Sequence, residues 1–219
     1  MFDKVFLTGC DEKTEWMLEW WVTEYSKNND IPIIFADFGI SDQARKYVEK
    51  TFSKVIDLTP HKDVGWFLKP EAMIAASKLS KKVCWIDTDC HILDDISDIF
   101  TYTEFNKLCM AEDVPWSARR GSKWHNSGVV AFEGCPTILK NWKSGVEEHA
   151  YVGDQEVLHI IMRSDPLTRH IHIIDLPNEY NWLRLQIVDD DGHIPKNVKI
   201  IHWTGYKGKI FIKEMIKNG

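Results

Sequence analysis

The sequence lacks several features that would assign it to a specialised class of protein. Its 219 residues contain no block of basic residues, and the formal net charge is −6, so nucleic acid is not an expected partner. No apolar run approaches the roughly 20 residues that a membrane span needs. The start of the chain, MFDKVFLTG, is too short and too acidic for a signal peptide.

Cysteine is scarce and forms no recognisable pattern. The five cysteines include no CxxC pair and are odd in number. Two of them, Cys84 and Cys109, lie in apolar runs, where a free thiol packs as a small hydrophobe. This usage favours a reducing compartment. We therefore expect a cytoplasmic protein, unless the chain is one piece of a longer product.

The composition is that of an ordinary globular protein. Hydrophobic residues make up 44% of the chain and charged residues 27%, which separates it from disordered chains. The length is sufficient for a sizeable core. Because the chain has no internal repeat, low-complexity tract or break in composition, we expect a single domain over residues 1–219.

Patterns typical of strands and helices alternate along the chain. The predicted strands are residues 4–8, 31–38, 54–58, 82–86, 107–111, 127–132, 170–176 and 198–203. The predicted helices are residues 15–28, 42–52, 71–77, 136–149 and 154–163, with a helical tail after residue 204. Segments 60–65, 114–125 and 188–196 are predicted to be loops. The alternation in the first half predicts a parallel sheet with helices on both faces, and the second half predicts a mixed sheet, so the fold class is α/β.

A pair of aspartates follows the predicted strand 82–86. Asp87 and Asp89 stand one residue apart at the carboxyl end of that strand, where open α/β sheets bind ligands. Two carboxylates on one turn can reach a single hard cation, which prefers oxygen ligands. A second DxD, at Asp189 and Asp191, lies in a polar run beside Gly192 and is interpreted as a solvated loop.

Five short stretches together resemble a known family. They are Asp87-Thr88-Asp89, Asn126-Ser127-Gly128, Asp154-Gln155 and His202-Trp203-Thr204-Gly205, with the basic Lys69 ahead of the first. Their order and spacing resemble those of the retaining glycosyltransferases of family eight, which include glycogenin and bacterial lipopolysaccharide galactosyl- and glucosyltransferases. The resemblance covers residues 4–209. It implies a GT-A fold, a Rossmann-like mixed and mainly parallel sheet that binds UDP-sugars with Mn²⁺.

The resemblance implies a metal site and a nucleotide site. Asp87, Asp89 and His202 would hold Mn²⁺ or Mg²⁺. Thr8 and Asp11, at the end of the first strand, would lie beside the uridine. For both of these residues, ordinary strand-end and helix-entry roles are the alternative.

Basic residues and a glycine are implied at the diphosphate. Lys69 and a lysine after His202 would contact it, and Gly205 would border the nucleotide-sugar. The family places its lysine six residues after the histidine, but this chain has Gly208 there. We favour Lys207 as the replacement, with Lys209 as the alternative.

The residues implied at the transferred sugar are Asn126, Asp154 and Gln155. Asn126 would hold a sugar hydroxyl, and the Asp154-Gln155 pair would lie at the reacting carbon and act in catalysis. A turn role for Asn126 and a helix-capping role for Asp154 are the alternatives. Residues 112–113 are further candidates for bordering the donor.

The expected function is metal-dependent transfer of a hexose from a UDP-sugar to an acceptor hydroxyl on a saccharide or other molecule, with retention. Residues 1–113 would form the nucleotide-binding part and residues 114–219 the acceptor-side part. In the loop 114–124, Trp116 and Trp124 are candidates for stacking on sugars, and Arg119 and Arg120 for meeting an anionic acceptor. The alternatives are a catalytically impaired nucleotide-sugar-binding protein, a nucleotide-sugar hydrolase and a nucleotidyltransferase. The last is disfavoured because residues 8–11 contain one glycine rather than a glycine-rich phosphate loop.

Overall fold

A computed structural model describes residues 1–59, 65–148, 153–163 and 166–218. The described residues form ten strands: β1 (Phe2–Cys10), β2 (Ile33–Asp37), β3 (Lys54–Asp57), β4 (Ser80–Ile86), β5 (Cys90–Ile92), β6 (Leu108–Glu112), β7 (His125–Glu133), β8 (Ile173–Leu176), β9 (Trp182–Leu183) and β10 (Ile200–His202). The same residues form nine α-helices: α1 (Leu18–Ser26), α2 (Asp42–Thr51), α3 (Lys69–Ser77), α4 (Val114–Arg120), α5 (Thr137–Glu148), α6 (Asp154–Arg163), α7 (Pro166–His172), α8 (Arg184–Asp189) and α9 (Gly205–Asn218). Strand and α-helix therefore alternate from β1 to β4, as the sequence predicts for the first half of the chain.

The central sheet has seven strands in the order β3-β2-β1-β4-β7-β6-β8 in the described chain. Strands β3, β2, β1 and β4 run parallel to one another, and β6 runs parallel to β8. Strand β7 pairs antiparallel with both β4 and β6, so one strand of the seven is reversed. The predicted mixed, mainly parallel sheet is confirmed.

Helices cover both faces of this sheet because the side chains of its strands alternate between two cores. In β4, Cys84 and Ile86 pack into a core with Trp21 of α1 and Ile212 of α9. Their neighbours Val83 and Trp85 pack into the opposite core, against side chains of α3, α5 and α6. Successive strand residues point to opposite faces, and both faces are apolar, as expected for a buried parallel sheet.

A smaller sheet of three strands, in the order β5-β10-β9, lies at the carboxyl edge of β4. Strand β5 begins at Cys90, directly after the DxD turn, and β10 pairs with it antiparallel. The last predicted strand, residues 198–203, is therefore present in shortened form but belongs to this second sheet.

Three predictions about local structure are wrong. Residues 114–120 form α4 rather than a loop, because the Asp113 side chain accepts from the Trp116 N–H at 3.1 Å and caps the helix. Residues 170–172 end α7 rather than open a strand, because β8 pairs with β6 only from the Leu108–Ile173 register onward. The segment 188–196 is a loop except for its first two residues, which complete α8.

Other local predictions agree closely with the structure. Ser41 caps α2 by accepting from the Ala44 N–H at 3.2 Å. The predicted loop 60–65 falls outside the described residues except for Gly65. None of the helices in the described ranges combines the length and apolarity of a membrane span. The single-domain reading stays a prediction.

Candidate functional site

Two aspartates stand where the central strand ends. Strand β4 stops at Ile86, and the following turn closes when the Cys90 N–H donates to the Asp87 carbonyl at 3.1 Å. The Asp87 N–H donates to the carbonyl of Gly128 in β7 at 2.8 Å. Asp87 Oδ1 accepts from Trp85 Nε1 at 2.6 Å. The DxD turn is thus held by the neighbouring strand at the ligand-binding edge of the sheet.

His202 lies beside these aspartates although it is more than a hundred residues away in sequence. Its strand, β10, pairs with β5, and the register sets His202 opposite Cys90, the residue after Asp89. His202 Nε2 lies 3.1 Å from Asp89 Oδ1 and 3.7 Å from Asp87 Oδ2. The second sheet therefore brings together the three residues that the sequence predicts as metal ligands.

The hydrogen bonds of His202 Nδ1 determine the tautomer of the imidazole, and so whether Nε2 faces the aspartates as an acceptor. The Gly128 N–H donates to Asn126 Oδ1 at 2.9 Å, so this oxygen is an acceptor. His202 Nδ1 lies 3.0 Å from the same oxygen and 3.1 Å from Asn181 Oδ1, so Nδ1 carries a proton. In the neutral ring, Nε2 then carries the lone pair that faces the two carboxylates.

The position of His202 also depends on a glycine. A Cβ built at Gly128 would lie 2.1 Å from His202 Cε1 and 2.3 Å from Nδ1. These distances are far below ordinary contact, so the ring fills the space that a side chain would need. Gly128 is therefore required for this placement of the histidine.

The donor set suits an oxygen-preferring divalent cation. In the described chain, ligand atoms of Asp89, Cys90 and His202 lie within 4.8 Å of one another. Burial raises the pKa of the Cys90 thiol well above its ordinary value, and a protonated thiol is a poor ligand for a hard cation. Asp87 Oδ2 faces the same His202 nitrogen at 3.7 Å, and two carboxylates with one imidazole fit Mn²⁺ or Mg²⁺. The residues present are thus compatible with the predicted metal.

Lys69 is a buried cation among the site carboxylates. Its side chain is 3% exposed, and Nζ lies 3.0 Å from Asp87 Oδ1 and 3.2 Å from Asp154 Oδ2. It also donates to the Ser127 carbonyl at 3.1 Å. Burial lowers the pKa of Lys69, but the charges of Asp154 and Asp87 outweigh burial and raise it above its ordinary value. Lys69 is therefore charged and links the DxD turn to the start of α6.

A second lysine approaches from α9. Lys209 Nζ donates to Asp89 Oδ2 at 3.1 Å, whereas Lys207 is exposed and has no such bond to the aspartates among the described contacts. A Cβ at Gly208 would lie 1.9 Å from the Trp203 carbonyl oxygen, so that position has no room for a lysine. The geometry thus favours Lys209 over Lys207 as the cation here, and contact of either with a diphosphate stays a prediction.

A network of amides lies between β7 and α6. Asn126 Nδ2 donates to Asp113 Oδ2 at 3.2 Å and to Gln155 Oε1 at 3.0 Å. Gln155 Oε1 also accepts from the Ser127 N–H at 3.3 Å, and Gln155 Nε2 donates to Asp113 Oδ2 at 3.0 Å. Both ends of the Gln155 side chain are hydrogen-bonded, so its orientation is fixed.

Three residues predicted at the nucleotide lie in different places. Asp11 borders a cavity of about 160 Å³ at the end of β1. Thr8 is fully buried, and Gly205 is exposed at the start of α9 with φ +72°. Within the described chain, neither Thr8 nor Gly205 belongs to the lining of this cavity or of the larger one beside it.

The larger cavity has a volume of about 510 Å³. It meets the smaller cavity at Trp66, Lys69 and Asp87, which line both. Sequence reasoning assigned no role to Trp66 or to Asn181. The sequence does indicate Asn181, because an amide between two aromatic residues is unusual, and its side chain is fully buried. For Trp66, the sequence offers nothing that distinguishes it from a core residue.

The inner wall of the larger cavity contains Asp113, Asn126, Asp154, Gln155 and His202. Its outer wall contains Trp116 and Arg120 of α4, together with Trp124, Leu183 and Leu185. The structure thus brings most of the predicted site residues to one place. The second DxD lies elsewhere: Asp189 and Asp191 are both exposed.

Known structures share this architecture. The galactosyltransferase LgtC, solved with donor and acceptor sugar analogues, superimposes with a TM-score of 0.62 at 14% identity, covering 98% of this chain and 95% of that chain. The glycosyltransferase GlyE of Streptococcus pneumoniae TIGR4 gives a TM-score of 0.65 at 17% identity, covering 100% of this chain and 64% of that chain. A glycosyltransferase involved in glycosylation of the major capsid of PBCV-1 gives 0.62 at 12% identity, covering 98% and 99%.

These likenesses show the fold. The chain has the GT-A fold of solved glycosyltransferases, as the sequence predicts. No protein-family model and no curated protein matches the chain.

Proposed function

We propose that this protein is a metal-dependent glycosyltransferase that moves a hexose from a UDP-sugar to an acceptor hydroxyl, with retention at the anomeric carbon. One observation carries the proposal: His202 Nε2 lies 3.1 Å from Asp89 and 3.7 Å from Asp87 at the junction of two cavities. Two lysines complete this cluster, Lys69 and Lys209, and a mixed cluster of this kind suits a cation together with a diphosphate.

The two cavities match the two ends of a nucleotide-sugar. The smaller cavity, of about 160 Å³, lies at the end of β1 and is bordered by Asp11 and by the rings of Phe38 and Trp85, which suits a flat base. The larger cavity, of about 510 Å³, has room for a sugar and an acceptor. Since Lys69 and Asp87 border both cavities, the diphosphate would lie at the junction.

The chemistry requires charge stabilisation on the leaving nucleotide. A divalent cation held by Asp87, Asp89 and His202 would neutralise charge on the diphosphate and favour departure of the nucleotide. Lys209, which donates to Asp89 at 3.1 Å, would turn toward the diphosphate and add positive charge where negative charge develops. Lys69 is held by two carboxylates and would act mainly by fixing Asp87 and Asp154.

Two residues at the start of α6 border the position of the reacting sugar. Gln155 is hydrogen-bonded at both ends of its side chain, so it would position the sugar rather than attack it. Asp154 Oδ2 lies 3.2 Å from Lys69 Nζ, and this pairing weakens the carboxylate as a nucleophile. Both facts favour a mechanism in which the acceptor hydroxyl attacks the anomeric carbon on the same face that the nucleotide leaves. They disfavour a covalent intermediate on Asp154. The acceptor proton would pass to the departing phosphate.

Two alternatives remain for the same site. Hydrolysis of the donor is expected as a slow side reaction when water replaces the acceptor. A catalytically impaired binding protein was suggested by the absence of a lysine six residues after His202. The position of Lys209 speaks against impairment, because it supplies a cation at the aspartates from one residue further along α9.

The direct test is nucleotide release from a panel of UDP- and GDP-sugars with Mn²⁺, with and without a chelator. We expect release from at least one UDP-sugar, faster when a suitable acceptor is present, and its loss on chelation. The absence of metal-dependent release from every donor would refute the transferase proposal. Tight UDP binding without release would instead support the impaired binder.

A further inference from the structure

The outer wall of the larger cavity forms an aromatic corner. The ring centroids of Trp116 and Trp124 lie 6.3 Å apart, with the ring planes at 32°. Trp124 is backed by His159, whose ring stacks on it at 3.6 Å and 9°. This stacking fixes the Trp124 ring from behind. Both tryptophans line the cavity, so the corner offers rigid apolar surface on which a sugar ring can pack.

The two neighbouring arginines at the end of α4 differ in their surroundings. Arg119 Nη2 contacts both carboxylate oxygens of Asp189 in α8, at 3.2 and 3.4 Å. Arg120 lines the cavity, and its guanidinium lies over the Trp116 ring at 4.9 Å. Among the described residues, no carboxylate lies within ion-pairing distance of Arg120. One arginine therefore ties two helices together, while the other lies at the cavity wall, exposed and against the Trp116 ring.

Three carboxylates that line the cavity bind groups other than Arg120. Asp113 accepts from the Trp116 N–H through Oδ1 and from two side-chain amides through Oδ2. Asp87 and Asp154 are paired with Lys69. Glu156 also lines the cavity. The outer wall thus presents a cation beside apolar rings.

We propose that the acceptor is a saccharide that carries an anionic substituent, either a phosphate or a carboxylate, which Arg120 binds while the sugar ring packs on Trp116 and Trp124. The inference rests on the proposed function, since it names the acceptor class of that site. A guanidinium pairs with both kinds of anion through two parallel hydrogen bonds. A neutral acceptor would use the aromatic corner but leave this charge without a partner.

The test uses three probes that differ in charge: methyl glucoside, methyl glucuronide and glucose 6-phosphate. Their binding to the full chain, with UDP and Mn²⁺ present, is followed by saturation-transfer NMR and by tryptophan fluorescence. We expect at least one anionic probe to bind about tenfold more tightly than the neutral one. Comparing the affinities for methyl glucuronide and glucose 6-phosphate shows whether the site prefers a carboxylate or a phosphate.

Two variants of adjacent residues separate the role of Arg120 from general charge. Arg120→Gln should remove the preference for anionic probes and leave the affinity for methyl glucoside within about twofold. Arg119→Gln makes the same chemical change one residue earlier, and it should retain the preference. Equal binding of neutral and anionic probes, no binding of any anionic probe, or a preference that survives in Arg120→Gln would each overturn the proposal.

The acceptor proposal and the proposed function fail in different ways. Binding of UDP with Mn²⁺ is measured separately by calorimetry and does not involve Arg120. If the wild-type protein binds UDP in a metal-dependent way but shows no preference for anionic probes, the acceptor class alone is refuted. Retained preference for anionic saccharides without any UDP binding supports the anion site and refutes the transferase.

Discussion

Replacing Gly128 with alanine should displace His202 from the two aspartates without unfolding the protein. The new Cβ would lie 2.1 Å from His202 Cε1 and 3.0 Å from Asn126 Oδ1. Non-bonded carbons pack at about 3.5 Å or more, so the ring must move by about 1.4 Å. The strand is held at this point from the β4 side, because the Gly128 carbonyl accepts from the Asp87 N–H at 2.8 Å and Val129 pairs with Ile86.

This displacement exceeds what a metal ligand tolerates. Ligand distances in metal sites vary by about 0.2 Å, and His202 Nδ1 would also lose its 3.0 Å hydrogen bond to Asn126. Changes in the partners that orient a ligand alone lower metal affinity by about 10- to 100-fold. We therefore expect Mn²⁺ affinity to fall by at least that factor. Overpacking should lower the free energy of unfolding by about 1–3 kcal/mol.

The assay combines Mn²⁺ binding, by electron paramagnetic resonance or calorimetry, with thermal unfolding. Gly145→Ala is the matched control, since its Cβ would lie 2.8 Å from a Val157 methyl group in the α5–α6 interface. Gly145→Ala overpacks the core away from His202. Whatever its effect on the free energy of unfolding, it should retain the wild-type Mn²⁺ affinity. Wild-type Mn²⁺ affinity in Gly128→Ala would contradict the proposed role of His202.

Three further predictions follow from charged groups. Lys209→Gln should weaken UDP binding about tenfold or more, because a charge-assisted hydrogen bond contributes about 1.5–3 kcal/mol. Lys207→Gln should change the UDP affinity less than about twofold. Calorimetry measures both affinities, and a larger loss in Lys207→Gln would identify Lys207 as the diphosphate lysine. Lys69→Met should lower the free energy of unfolding by about 3–5 kcal/mol, since it leaves buried carboxylates without their cation. Denaturant unfolding measures this change. An unchanged free energy of unfolding would show that the pairing is not stabilising. The hydrogen bond from His125 lowers the pKa of Asp175 well below its usual 3.8. The contribution of this carboxylate to stability is therefore complete above that pH and declines as pH falls toward the lowered pKa of the folded state. Asp175→Asn should be less stable than wild type at neutral pH, and the difference in unfolding free energy should shrink steadily below pH 4; a difference that stays constant between pH 4 and pH 2 would disprove the ionic origin.

The sequence predicts the strands of the central sheet well because they are buried on both faces. Runs such as residues 83–86 and 129–132 are apolar without interruption, which is the pattern of strands covered by helices on both sides. The position of Asp87 and Asp89 follows directly, since they stand where the run ends. Their placement at the strand end is predicted from local sequence alone, whereas their metal-binding role is predicted only together with the stretches at residues 126–128, 154–155 and 202–205.

The sequence contains the boundary residues of helix α4, although the segment lacks the periodicity of a helix. Asp113 caps it, Pro115 stands in its first turn, and Gly121 ends it in the left-handed conformation with φ +64°. Each of these is a recognised boundary residue. The helix is short and polar, however, and its tryptophan, Trp116, lines a cavity rather than a core, so it shows no clear helical periodicity of buried side chains.

Long-range packing explains what the sequence left open. The pairing of β10 with β5 brings His202 to Asp89, and nothing local to either strand specifies that partner. Likewise, the choice between Lys207 and Lys209 depends on the contact of Gly208 with the Trp203 carbonyl. Such contacts become visible only in the folded chain.

The most direct test of the central claim is Mn²⁺-dependent UDP binding by wild-type protein and by Asp89→Ala, measured by calorimetry alongside a circular dichroism check of the fold. The Asp89 side chain contacts His202 and Lys209 at the site edge rather than the apolar core, so the variant should fold. The account predicts that wild type binds UDP tightly only with Mn²⁺ and that the folded variant loses this dependence and most of the affinity. Unchanged UDP affinity in a folded Asp89→Ala would contradict it.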